Sequence, residues 1–269
     1  MESNTPLDTT AAEAYEQFIV PALNAPLAAD AVELAAPRPG ERLLDVACGT
    51  GIVVRIAAPR VAPGGSIAGL DIDPAMIAVA RSLVRGPDGV TLHWHCASAQ
   101  DMPFASATFD VALCLQGLQY LPSCVAGLAE IRRVMKPGGR LVALVWSSLE
   151  DCKGQHALAR ALERRNVDAA AILKAYSLGD SDGIRALAAE AGFRDVEIRA
   201  SYTTARFASV KHFVEAFAAG SLSSRAAISK VPEHQRSGFL EDIDRALRQY
   251  EDGNGVALPL GYLVMIARP

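Results

Sequence analysis

The chain alternates short continuous apolar runs with stretches whose apolar residues recur at helical spacing. Leu43 to Ala47, Ser66 to Asp71, Val90 to Cys96, Phe109 to Leu115 and Arg140 to Trp146 are the short runs, and they read as strands. Between them, Ile52 to Ala58, Pro74 to Val84 and Ser123 to Met135 carry the 3.6-residue period and read as helices. The first of these helices is expected to end near Pro59, and the last to be stopped by Lys136-Pro-Gly-Gly139. Strand and helix alternating in this way predict an α/β fold with a mostly parallel, doubly wound sheet.

The flanks differ from this middle. Residues 1–8 are polar and are expected to fray. Thr10 to Ala36 is Ala-rich with apolar residues at helical spacing, and Pro21 and Pro26 predict two short helices broken near Val20-Pro21. Beyond Trp146, residues 155–176 and 183–191 are Ala/Leu/Arg-rich and read as helical, and a strand follows from about Val196 to Phe207. Ser209 caps an amphipathic helix with Val210, Phe213, Val214 and Phe217 on one face. A further helix follows Pro232 with Phe239, Ile243, Leu247 and Tyr250 on its stripe, Asp252-Gly-Asn-Gly255 turns the chain, and Leu260 to Arg268 is the last strand.

Composition changes this picture little. The 269 residues are 51% hydrophobic and 21% charged, which suits an ordinary core. A formal charge of −4 supplies no basic field for a polyanion, so nucleic acid is not an expected partner. The five cysteines (48, 96, 114, 124 and 152) are scattered without a C-x-x-C pair and read as buried thiols of a reducing compartment. The first residues lack a basic start and an apolar run, and no apolar run approaches membrane-spanning length, so the expectation is a cytoplasmic protein without a membrane span.

The chemistry concentrates after the first strand. Cys48-Gly-Thr-Gly51 breaks the apolar pattern with two glycines between strand and helix. Such a turn lets a ligand approach the backbone closely and aims unpaired N–H groups at it. The dinucleotide fingerprint G-x-G-x-x-G fails, because Val54 stands where the third glycine belongs. The sequence instead reads Asp45-x-Ala47-x-Gly49-x-Gly51. Asp71 closes the second strand about twenty residues further on, where an acid can accept from two ribose hydroxyls. Asp73, just before Pro74, is read as a helix N-cap. Ile72 and Met76 are placed to lie against a base or to join the core. His93 and His95 share a strand face, but no third ligand is near, so no metal is expected.

Asp45-x-Ala47-x-Gly49-x-Gly51 resembles motif I of the class I S-adenosylmethionine-dependent methyltransferases. Ala97-Ser-Ala-Gln-Asp-Met-Pro-Phe104 resembles that family's G-D-A-x-x-L-P-F, with Ser98 in place of the acid, and the run through Lys136-Pro-Gly-Gly-Arg-Leu141 matches the usual end of the domain. Tyr-Glu-Gln-Phe-Ile-Val-Pro21 and Leu-Gln-Gly-Leu-Gln-Tyr120 are similar to phrases in bacterial small-molecule enzymes near the quinone-biosynthesis type. The resemblance implies a Rossmann-like sheet ending in an antiparallel strand, S-adenosylmethionine as cofactor and S-adenosylhomocysteine as its product. It implies a cofactor site of Asp45, Ala47, Gly49, Gly51, Asp71, Ile72, Met76, Ser98, Ala99, Gln100 and Gln116.

By the same resemblance, residues 1–37 form an N-terminal lid, 38–147 the cofactor-binding core, 148–192 a helical segment, and 193–269 a terminal strand pair with a helical insertion at 209–252. Lid and insertion are expected to build the acceptor pocket, with Tyr15, Phe18, Gln119 and Trp146 as its residues. No catalytic residue is assigned. His156, His212 and His234 are the candidate bases, although methyl transfer from a good leaving group needs a base only when the acceptor is not acidic enough. The expected partner is a small-molecule acceptor methylated on O, C or N, and a homo-oligomer is left open. A non-catalytic cofactor-binding module and an NAD-dependent oxidoreductase are the rival readings.

Overall fold

The computed structural model describes residues 7–269. The expected fraying of the first eight residues falls almost wholly outside them. The chain opens with α1 (Thr10–Ala14), continues without a break through a π-helical segment (Tyr15–Asn24), and ends that rod in α2 (Ala25–Ala35). The break expected at Pro21 is therefore absent. A wider π turn carries the proline while Ile19, Val20, Leu23 and Asn24 stay buried, and Pro26 sits in the first turn of α2, where no N–H is needed. By length and composition Thr10–Ala35 is apolar enough to cross a membrane, but half of its most apolar 18-residue window is buried inside the fold.

The sheet then builds in alternation: β1 (Arg42–Val46), α3 (Ile52–Val61), β2 (Ser66–Asp71), α4 (Pro74–Leu83), β3 (Thr91–Cys96), β4 (Phe109–Leu115), α5 (Cys124–Val134) and β5 (Met135–Trp146). Asp73 caps α4 through its side chain, with Pro74 in the first turn, and Ser123 caps α5. α3 runs past Pro59 to Val61. The second half holds α6 (Lys153–Glu163), α7 (Ala170–Ala175), α8 (Ser181–Glu190), β6 (Arg194–Phe207), α9 (Val210–Gly220), α10 (Arg225–Ile228), α11 (Arg236–Leu247), β7 (Glu251–Asp252) and β8 (Gly255–Arg268). The helix expected over 155–176 is two helices, and Tyr250 lies in a 3₁₀ turn after α11.

The sheet order is β3-β2-β1-β4-β5-β8-β6, with β7 paired to β8. β1 to β5 are parallel, and β8 inserts antiparallel between β5 and β6. β8 begins at Gly255, five residues earlier than the expected Leu260, because β6 pairs with it as far as Phe207 opposite Val256. Alternate residues of each central strand enter opposite cores. Leu43, Val111, Val142 and Leu144 face α2, α3 and α6, while Leu44, Ala112, Leu141 and Ala143 face α5 and α8. Arg140 ties the end of α2 to β5 by donating to the carbonyls of Ala35 and Ala36 and to Glu41.

Candidate functional site

β1 and β4 lie side by side, with β2 on the far side of β1, and the carboxyl ends of these strands meet a cleft of about 360 Å³. Sheets of this kind bind ligands beyond those ends. Ala47 and Gln116, which follow β1 and β4, both hold φ +55, a left-handed backbone that side chains rarely adopt. The two strand ends thus turn away sharply and leave the crevice open.

The glycine turn divides its work between its two glycines. Gly49 lines the cleft, and a Cβ there would touch the Tyr15 ring at 3.5 Å. Gly51 holds φ +85, and a Cβ there would come within 2.9 Å of Trp94 and Val84. Gly51 therefore serves the close approach of α3 to β3 and α4 and does not face the cleft.

Asp71 is the fixed point of the floor. Its Oδ2 accepts from the Gly49 N–H at 2.8 Å, and its Oδ1 from the Asp73 N–H at 2.9 Å. Each oxygen keeps a further lone pair for a ligand. Burial raises its pKa against the lowering pull of those N–H groups. Asp45 sits under the turn, fully buried, with neither carboxylate oxygen paired among the described residues. Burial first, and the Asp71 charge second, push its pKa well up.

Of the expected cofactor residues, Ala47, Gly49, Asp71, Ile72, Met76, Ser98, Ala99 and Gln116 line this one cleft. Asp45 lies beneath it, Gly51 behind it, and Gln100 is turned aside, its carbonyl accepting from the Ser123 N–H at 3.4 Å. Among the expected acceptor residues, Tyr15 lines the cleft and also a small adjoining compartment, where Trp146 stands. Phe18 lines neither and packs edge-on to His212, because the π turn directs Tyr15, not Phe18, at the glycine turn. Gln119 is buried behind Gln116 and donates to its carbonyl at 2.9 Å. Tyr120, Leu121 and Leu222 also line the cleft, and Gln155, Tyr176 and Phe217 the compartment. Tyr120 ends the phrase Leu-Gln-Gly-Leu-Gln-Tyr120 and Phe217 lies on the apolar face of α9, but Leu121, Gln155, Tyr176 and Leu222 carry no signal of a site in the sequence.

The π-helical segment is latched to the glycine turn. Glu16 accepts from the Thr50 hydroxyl and pairs with Arg55 at 2.8 Å. Asn24 donates to the Tyr15 phenol. Ala12, Met76, Val79 and Tyr15 pack together and close the side of the cleft at α4.

No histidine lines the cleft or the compartment. His156 lies in a separate cleft between α6 and α11, whose Arg160 and Arg164 pair with Glu163 and Asp242. Burial raises the phenols of Tyr15, Tyr120 and Tyr176, which therefore stay protonated at neutral pH. Among the described residues no group of three or more His, Cys, Asp or Glu is placed to hold a metal. His93 is exposed, and His95 packs edge-on to Phe104 at 4.8 Å. Cys48, Cys114 and Cys152 are buried, whereas Cys96 is exposed, contrary to the expectation for all five.

Residues 44–143 match the family described as a methyltransferase domain. The demethylmenaquinone methyltransferase of Symbiobacterium thermophilum is 41% identical over 110 residues, covering 40% of this chain and 43% of that protein. The ubiquinone/menaquinone biosynthesis C-methyltransferase of Burkholderia vietnamiensis is 38% identical over 112 residues, covering 42% and 46%. The chain thus spans less than half the length of the curated relatives it matches. In fold it is similar to a phosphoethanolamine N-methyltransferase of Haemonchus contortus solved with S-adenosyl-L-methionine, with TM-score 0.60 and 20% identity over 99% of this chain and 58% of that one. Motif, sheet order and family match agree: residues 44–143 match a methyltransferase domain and resemble the class I S-adenosylmethionine-dependent methyltransferases.

Proposed function

We propose that the chain transfers the methyl group of S-adenosylmethionine to a small-molecule acceptor. The observation that carries this reading is Asp71, held at the end of β2 by two backbone N–H groups, facing a cleft floored by Ala47 and Gly49. The donor set fits the cofactor. Asp71 accepts from the two ribose hydroxyls. Ile72 and Met76 offer apolar faces to the adenine, and Ser98 and Ala99 meet its edge, with Gln100 steadying the Ser123 end of the loop. The unpaired Asp45 carboxyl beneath the turn is a counter-charge for the ammonium of the amino acid tail.

When bound, the sulfonium supplies an activated methyl group and a neutral leaving thioether. The protein's part is then position and exclusion of water. The Tyr15 segment covers the glycine turn, and Gln116 stands where the cleft meets the compartment. No imidazole lines either space and the phenols are held protonated, so the acceptor arrives already nucleophilic or releases its proton to water. The lid over 1–37 and the insertion over 209–252 shape the acceptor side in this reading.

Calorimetric titration with S-adenosylmethionine, S-adenosylhomocysteine and NAD tests it. Both sulfur nucleotides bind, NAD does not, and Asp71→Ala weakens the former about tenfold or more by removing two charge-assisted hydrogen bonds. Binding of NAD alone would sink the methyltransferase reading.

A further inference from the structure

The compartment beside the main cleft has a volume of about 60 Å³ and shares Tyr15, Gln116, Tyr120 and Leu222 with it. Every described side chain lining it is uncharged. Trp146 and Tyr176 stack within its wall, ring centroids 6.4 Å apart. Two wall residues carry polar atoms that solvent does not reach and that no group among the described residues pairs: Gln155 Oε1 and Gln116 Nε2. Gln155 projects from α6 and is 4% exposed. The carbonyl of Gln116 is already taken by Gln119 Nε2, which leaves its amide nitrogen as the free end.

Buried polar atoms are almost always paired, so two unpaired ones beside a cavity at the cleft point to a ligand that completes them. Gln155 Oε1 requires a donor, and Gln116 Nε2 requires a lone pair. A hydroxyl group supplies both. A carboxylate, phosphate or ammonium would lose its hydration here and meet no counter-charge. Volume decides how much of the ligand enters. A cavity of roughly 150 Å³ holds benzene, so this one takes the hydroxyl-bearing edge of a ring, and the rest lies toward the wall shared with the cleft.

We propose that this compartment selects the methyl acceptor as an uncharged, hydroxyl-bearing ring. The hydroxyl donates to Gln155 Oε1 and accepts from Gln116 Nε2, and Gln119 is the positioning residue that fixes the Gln116 amide. The proposal rests on the methyltransferase reading of the adjoining cleft.

The test is saturation-transfer NMR on the full chain loaded with S-adenosylhomocysteine, with phenol, toluene and benzoate as probes. Phenol binds about tenfold tighter than toluene, the worth of one good hydrogen bond, and benzoate does not compete. Gln155→Leu brings phenol down to the level of toluene, leaves S-adenosylhomocysteine affinity unchanged, and raises the thermal midpoint because the unpaired oxygen is gone. Gln155→Met reads the same loss if the leucine variant does not fold. Gln119→Leu lowers phenol affinity and leaves toluene affinity unchanged, which a packing role alone would not do. An undiminished phenol preference in Gln155→Leu, or benzoate binding as tightly as phenol, overturns the proposal. If the wild-type chain fails to bind S-adenosylhomocysteine, the methyltransferase reading falls separately. The probes are then ranked on the ligand-free chain, where equal binding of phenol and toluene refutes the compartment's selectivity.

Discussion

Asp45 is the residue whose chemistry the fold perturbs most clearly near the cleft. Both oxygens are buried and unpaired, and burial raises its pKa well above the ordinary carboxylate range. The native state therefore keeps a proton that the unfolded chain releases near pH 4, and stability falls as pH rises from about 4 toward the folded pKa. Two outcomes follow. Asp45→Asn raises the thermal midpoint at neutral pH, and the gain vanishes below about pH 4. An ammonium brought near Asp45 favours its charged form, so S-adenosylmethionine binding releases a proton, and the mutation abolishes the release. Calorimetry in two buffers of different ionisation enthalpy counts that proton, and equal enthalpies for the wild type would remove Asp45 from the ammonium site. Asp45 and Asp71 were legible because an acid at a strand end beside a glycine turn has few other uses. Gln155 was not legible, since in an Ala/Leu/Arg-rich helix a glutamine reads as a solvated face until α6 is seen packed against the sheet.

At the level of elements, the parallel core was legible because β1, β2 and β4 are short, largely buried apolar runs, and α4 and α5 each start on a side-chain cap, α4 with a proline beside it. Two differences in helix bounds share one cause, the reading of proline as a terminator. Pro21 and Pro59 both lie inside helices whose buried faces outweigh the missing hydrogen bond. Gly51 tests the packing argument. Alanine there meets Trp94 and Val84 in a left-handed backbone, and the expected loss is about 2–4 kcal/mol in urea unfolding. A loss of a few tenths would mean that α3 can shift away from β3. The latch at Glu16 is tested by a rate. Glu16→Ala removes the acceptor for Thr50 and Arg55, and S-adenosylhomocysteine dissociates about fivefold faster in stopped flow. An unchanged off-rate would show that the π-helical segment stays closed without it.

Across the whole molecule, the site depends on parts far apart in sequence meeting at one edge of the sheet. α9, from the insertion, crosses the N-terminal rod so closely that a Cβ on Gly220 would lie 2.7 Å from the Ala14 carbonyl oxygen and 2.9 Å from the Tyr15 Cα. Tyr262 of β8 donates to Asp30 of α2 at 2.7 Å, across 232 positions. Rod and insertion are thus fastened to each other and to the last strands, and the rod reaches the sheet through α2, which packs on β4 and β5, whereas the Tyr15 segment that α9 crosses lies over the glycine turn. This separation makes Gly220→Val informative. The added bulk meets backbone, which cannot move aside as a flexible side chain would, so the rod must shift. Because Tyr15 rides on that rod, the shift uncovers the glycine turn and opens one wall of the compartment. The expected outcome is faster proteolysis within residues 10–35 and several-fold weaker phenol binding, with the urea transition of the sheet little changed. Loss of the sheet transition together with the rod would instead show that rod, insertion and core fold as a single cooperative unit, and that the acceptor side cannot be loosened without unfolding the cofactor side.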